Sequence, residues 1–126
     1  MKITSFNPLI VTGNAQAVIE LFEALGFERR HNIKANTGKQ DFNSVRMKDE
    51  NGFHVDIAQI DGRTQDMTLI RMNVDDFDEA YAFLTARGFR NPQGDHTVDT
   101  KSNRSAMLIS PSGFAFDLCQ HIKDHD

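Results

Sequence analysis

Cysteine is nearly missing from this sequence. The single Cys119 excludes an intrachain disulfide and the paired-cysteine zinc motifs alike, a usage that suits a reducing compartment. Basic runs are missing too: fourteen Lys and Arg are scattered among eighteen Asp and Glu, for a net charge of −4. No stripe of that kind can track a phosphate backbone, and nucleic acid is not an expected partner. Nor is there a long hydrophobic run. The opening MKITSFNPLIVTG carries one lysine and a broken apolar stretch, too short and too polar for a secretory segment or a membrane span. The expectation is a soluble, cytoplasmic protein that does not engage a membrane. Tryptophan is absent, and ten Phe supply most of the aromatic surface. What is present, 126 residues with 39% apolar and 25% charged, suffices for a single domain over 1–126 to bury a core without staples or metals.

The chain matches itself. NGFHVDIAQI, residues 51–60, aligns on Gly52 and Gly113 with SGFAFDLCQH at Gly, Phe, Asp and Gln, and Val55/Phe116 and Ile57/Leu118 are apolar in both copies. Ala24-Leu25-Gly26-Phe27 and Ala86-Arg87-Gly88-Phe89 repeat at nearly the same offset. Two modules follow, about 1–62 and 63–126. Each has the same plan. In the first, a strand over Ile3 to Thr12 precedes Ala15, Val18, Ile19, Phe22 and Leu25 at helical spacing, and Gly26 stands at the C-terminal cap. In the second, Thr68, Ile70, Met72 and Val74 alternate as a strand. Asp76 with Glu79 makes a capping box, Ala80, Phe83 and Leu84 follow, and Gly88 closes the helix. Three short strands come after each helix: 28–34, 43–48 and 53–60, then 89–91 extending toward 97–100, 105–110 and 114–121, with turns at 51–52, 61–62 and 111–113. The fold class is α+β: two tandem βαβββ modules forming a curved mixed sheet around a cup-shaped cavity, helices on the outer face.

Alternation assigns the faces. Phe114, Phe116 and Leu118 go under the second helix, leaving Asp117, Cys119 and His121 toward the cup. Phe53, Val55 and Ile57 go under the first helix, leaving His54, Asp56 and Ala58. Asp56 and Asp117 thus become repeat mates. Ile70, Met72 and Val74 face the helix, with Leu69, Arg71 and Asn73 inward. In the first strand Leu9 and Val11 are assigned to the helix and Thr4, Phe6, Pro8 and Ile10 to the cup. Phe22, Phe83, Phe114 and Phe116 are read as core.

Two βαβββ modules in tandem, the LGF that ends the first helix, VDDFDEAYAFLTARGF in the second module and the closing PSGFAFDL strand together resemble the vicinal oxygen chelate superfamily. That is the glyoxalase, bleomycin-resistance and extradiol-dioxygenase group. The resemblance covers essentially the whole chain and implies, for the enzymes of the family, a divalent metal held by four side chains from the first and last strands of each module. Carried over, those positions fall on Phe6, Asp56, Leu69 and Asp117. Phe6 and Leu69 cannot ligate a metal, and a register one residue later would offer Asn7 and Ile70, which does not restore the site. The resemblance therefore implies a small-molecule-binding protein of the binding or resistance type with a degenerate metal site, no cofactor, no catalytic residue and a homodimeric state. The alternative is a divergent metal-dependent lyase, isomerase or dioxygenase-like enzyme using Asp56, Asp117 and His54.

The expected ligand-binding set is Phe6, His54, Asp56, Leu69, Arg71, Asp117 and Cys119. Two carboxylates facing one cavity need a cation, and Arg71, on the same wall, is the expected one, either bridging an aspartate or greeting an anionic ligand. Cys119 and His121 at i and i+2 point the same way ~6.5–7 Å apart, beyond hydrogen-bond reach, so Cys119 reads as a small hydrophobe. His54 has the repeat mate Ala115, an asymmetry that suits a ligand contact or a proton-transfer group as well as a loop hydrogen bond. His121 and His125 belong to a solvated tail. The polar stretches 34–41 and 91–104 read as long loops overhanging the cup as lids.

Overall fold

The computed structural model describes residues 1–36, 41–99 and 103–121. Two compact units emerge, one formed by residues 7–68 and the other by residues 1–6 with 69–126. By contacts the two units divide at Thr68/Leu69, and the opening residues of the first strand go with the second unit. Asp75 N donates to Lys2 O, and Asn73 Nδ2 donates to Ser5 Oγ at 2.6 Å.

The first unit runs β1 (Ile3–Thr12), α1 (Ala15–Ala24), β2 (Glu28–Asn36), β3 (Asp41–Lys48) and β4 (His54–Gln59). Its strands are ordered β2-β3-β4-β1, with β1 parallel to β4 and the other pairs antiparallel. The second repeats the plan: β5 (Met67–Val74), α2 (Phe77–Thr85), β6 (Val98–Asp99), β7 (Asn103–Ile109) and β8 (Ala115–His121), ordered β6-β7-β8-β5 with β5 parallel to β8. Each unit is the expected βαβββ, α+β with one helix on a mixed sheet. Their third elements differ: β2 spans nine residues and β6 two.

Each helix covers one sheet face. Ile19 of α1 packs with Met47, Val55 and Ile57, and Ile10, Val18, Phe22 and Val45 close around them. Phe77, Ala80 and Leu84 of α2 pack with Met72, Val74, Ala106, Leu108 and Leu118. Apolar residues at i and i+2 on the strands meet apolar residues at helical spacing, which is the burial that holds each module together.

The repeated glutamine explains how each helix is docked. Gln59 Oε1 accepts from Ala15 N at 2.7 Å while its Nε2 donates to Gly13 O at 2.7 Å. Gln120 Oε1 accepts from Phe77 N at 2.6 Å and its Nε2 donates to Asp75 O at 3.0 Å. One amide therefore clamps the first helical residue and the residue before the cap, in the same way in both units. Asn14 and Asp76 complete the caps, accepting from Ala17 N and Glu79 N. These orphan N–H groups are the ones a helix start must satisfy. The matched glycines of the repeat, Gly52 and Gly113, take φ +89 and +108 in the turns before β4 and β8, a backbone state that favours glycine.

Some assignments need correction. Phe53, Phe83 and Phe114 are not core: they are 66%, 44% and 50% exposed. Phe83 instead carries the Arg87 guanidinium 3.6 Å from its ring centroid, and Phe114 meets Phe89 and Phe116 edge-on. The first two stand at a turn and at the flank of a helix, where the burial available to i and i+2 neighbours has run out. The loop at 34–41 is shorter than expected, since residues 34–36 and 41 belong to β2 and β3; residues 37–40 lie outside the described part. The stretch 91–104 includes β6, and its start is tied down by Asn91 Nδ2 donating to His96 O and Tyr81 Oη to Gly94 O. Of it, residues 100–102 lie outside the described residues, as does His125.

Candidate functional site

Asp56 is fully buried at 0% exposure on the face of β4 away from α1. A carboxylate there needs a cation and hydrogen bonds. Arg46, directly across on β3, provides both: its Nε donates to Asp56 Oδ1 at 2.9 Å and its Nη2 to Oδ2 at 2.9 Å. This is a bidentate fork on both carboxylate oxygens. Nη2 also reaches Asn7 Oδ1 at 3.5 Å.

Asp117 occupies the equivalent place on β8. Its partner is Arg71, across the parallel pair with β5, with Nε donating to Asp117 Oδ2 at 2.8 Å. The expected Arg71–Asp117 ion pair is present. Arg46 is the cation that reading the sequence missed, although β3 carried the signal: Ser44, Arg46 and Lys48 alternate with the apolar Val45 and Met47, which puts Arg46 on the polar face.

The two units balance their aspartates from opposite sides. In the first, Asp56 stands between Arg46 on β3 and Leu9 on β1. In the second, Asp117 stands between Met107 on β7 and Arg71 on β5. Each acid has one guanidinium and one apolar neighbour in its cross-strand row, with the two exchanged between repeats.

Phe6 does not take the place assigned to it. Ile10 lies in register with Ile57 and packs in the helix-side core, so Phe6 and Pro8 share that side of β1, and Phe6 is 59% exposed. Asn7, Leu9 and Val11 lie on the face of Asp56 and are buried. The one-residue later register, with Asn7, is correct for β1. The reason is that β1 is apolar on both sides and buried on one by the helix core, so alternation alone could not choose. Leu69 is buried at 6%, in step with Arg71 and Asn73, and Ile70 pairs with Phe116 on the other side. Cys119, in register with Asn73, is 3% exposed and its Sγ lies 3.6 Å from Asp117 O. His121 ends β8, across from Asn103.

His54 is half-buried on the Asp56 face, across from Lys48. Burial holds its pKa below the usual imidazole value, and the positive charges of Arg46, Lys48 and Arg30 lower it further against the opposing pull of Asp56. It is therefore neutral at pH 7, able to donate from one nitrogen and accept at the other.

The positions that the resemblance assigns to a metal are Phe6, Asp56, Leu69 and Asp117, and beside Asp56 the structure has Asn7 in place of Phe6. Both carboxylates are engaged by guanidinium groups and Leu69 has no donor. Among the described residues no three His, Cys, Asp or Glu side chains converge in a way that could hold a metal ion. The donor set does not fit the group. Among the described residues no helix is long and apolar enough to cross a membrane.

No family model matches the sequence, and no curated protein does. Solved structures do match. A glyoxalase/bleomycin resistance protein/dioxygenase superfamily member from Vibrio splendidus 12B01 superposes with a TM-score of 0.63 at 16% identity, over 94% of this chain and 99% of that one. A hypothetical protein from Bacillus halodurans C-125 gives 0.70 at 11% identity, over 98% and 99%. A variant of Streptomyces coelicolor methylmalonyl-CoA epimerase, bound to 2-nitronate-propionyl-CoA, gives 0.66 at 17% identity, over 97% and 100%.

Proposed function

Because the chain has the vicinal oxygen chelate fold, we propose that it is a small-molecule-binding protein of the binding or resistance type whose metal site is degenerate. In each unit the ligand surface is the strand face that its helix leaves uncovered, with Arg46 and His54 as polar anchors beside Leu9 in the first and Arg71 beside Leu69 in the second. One observation supports this above the others: the two carboxylates at ligand positions are each held by an arginine. A guanidinium at 2.8–2.9 Å supplies the charge that a divalent ion would bring, without the open coordination position that Lewis-acid catalysis needs. The structure of Streptomyces coelicolor methylmalonyl-CoA epimerase, which shares this fold, holds 2-nitronate-propionyl-CoA, and a small-molecule ligand here is compatible with that.

The test is a melting-temperature titration with Mn²⁺, Ni²⁺, Zn²⁺ and Fe²⁺. The reading predicts no saturable rise that Asp56→Asn or Asp117→Asn removes. A large saturable rise lost in both variants would instead establish a metal-dependent protein.

A further inference from the structure

Although the chain is acidic overall, positive charge gathers at one corner of the first unit. Arg46 and Lys48 stand two apart on one face of β3, across from Asp56 and His54 of β4. Arg30 occupies the irregularity in the β2–β3 pairing, between the register mates of Met47 and Arg46, and is exposed. Its charge, with those of Arg46 and Lys48, acts on His54. The opposing acids are Asp56, held by Arg46, and Glu28, in register with Lys48. Among the described residues, Arg30, Arg46 and Lys48 stand against Asp56 and Glu28 at this corner.

Arg46 is only half used. Its Nε and Nη2 bind Asp56, and among the described residues nothing accepts from Nη1. Its side chain remains 24% exposed, whereas Asp56 beneath it is 1% exposed. A fixed guanidinium with its inner edge satisfied and its outer edge free costs little further ordering when it receives an anion.

Building on the small-molecule reading above, we infer that this corner is an anion subsite that takes the carboxylate of the ligand. Arg46 Nη1 and His54 donate to it, and Lys48 and Arg30 supply the surrounding charge. Burial of Leu9, Val11 and Ala58 further along the same face sets this polar end against an apolar one, the arrangement that orients an amphipathic molecule in a pocket.

The experiment is calorimetric titration of the full-length chain with a panel of carboxylates (benzoate, 2-naphthoate, indole-3-acetate, octanoate), each paired with its primary amide. The inference predicts that at least one carboxylate binds about tenfold or more tightly than its amide. That preference falls in Lys48→Met and Arg30→Met, changes that leave the Arg46–Asp56 pair in place, and persists in Arg87→Met just beyond α2. If acid and amide bind alike throughout the panel, the subsite is overturned while the small-molecule reading stands. If the acid preference survives in both Lys48→Met and Arg30→Met, the location is wrong. If no member of any pair binds, the subsite and the small-molecule reading fall together.

Discussion

At the scale of single residues, the chemistry is set by where charge is buried and what faces it. Asp56 and Asp117 share a repeat position, yet their arginines come from different strands, so the pairings arose at non-equivalent places. Arg71 could be found from alternation in β5, because Ile70, Met72 and Val74 leave no other face for it. Arg46 required the hairpin register. A two-residue Asn51-Gly52 turn would set Asp56 opposite Met47, but Asp49 Oδ1 accepts from both Asn51 N and Phe53 N and widens the loop by one, so that Arg46 arrives instead. His54 gives a prediction at this scale. Its folded pKa lies below the unfolded value of about 6.5, so the unfolded chain binds the extra proton first. Stability from this group is complete above about pH 6.5 and is lost as pH falls through the lower folded value. In urea titrations from about pH 5 to 8, the wild type should lose stability relative to His54→Gln on the acid side and match its slope above neutrality.

At the scale of elements, the glutamine that ends each repeat match shows what a sequence repeat can encode beyond packing. Gln59 and Gln120 look like ordinary polar residues near the end of a strand. In the structure they join the last strand of a module to the start of its helix through two hydrogen bonds each. The order of elements and the helix caps were legible because Asp76, Glu79, Gly26 and Gly88 each satisfy a local backbone need. The clamp was not, because its partners lie 43 to 46 residues away. Replacing either glutamine by alanine should cost about 1–2 kcal/mol, from a helix start left without its acceptor and a carbonyl without its donor. Hydrogen exchange locates the effect: Gln59→Ala should raise exchange at Ala15 and not at Phe77, and Gln120→Ala should do the reverse. Equal effects on both helices would show that the glutamines act through general stability alone.

At the scale of the whole molecule, two copies of one plan have kept their architecture while changing their site. The strand order, the parallel first-to-last pairing and the helix docking are the same in both units, and these follow from alternation, caps and turns written locally in the sequence. The site differs because it depends on which of two flanking strands carries the arginine, and no local pattern fixes that choice. The same ambiguity misassigned β1: with Phe6, Pro8 and Ile10 on one side and Leu9 and Val11 on the other, only the pairing with β4 identifies Asn7 as the residue beside the Arg46–Asp56 pair. The central claim is that arginine, and not a metal, compensates the two aspartates. Urea unfolding in excess EDTA, comparing wild type, Arg46→Met, Asp56→Leu and the double variant, tests it most directly. The account predicts wild-type stability unchanged by EDTA and a loss of about 3 kcal/mol in Arg46→Met, at the low end for a buried pair because part of the guanidinium reaches solvent. It also predicts recovery of most of that loss in the double variant. Wild type that weakens in EDTA as much as Arg46→Met does, or a double variant no more stable than the worse single one, would contradict it.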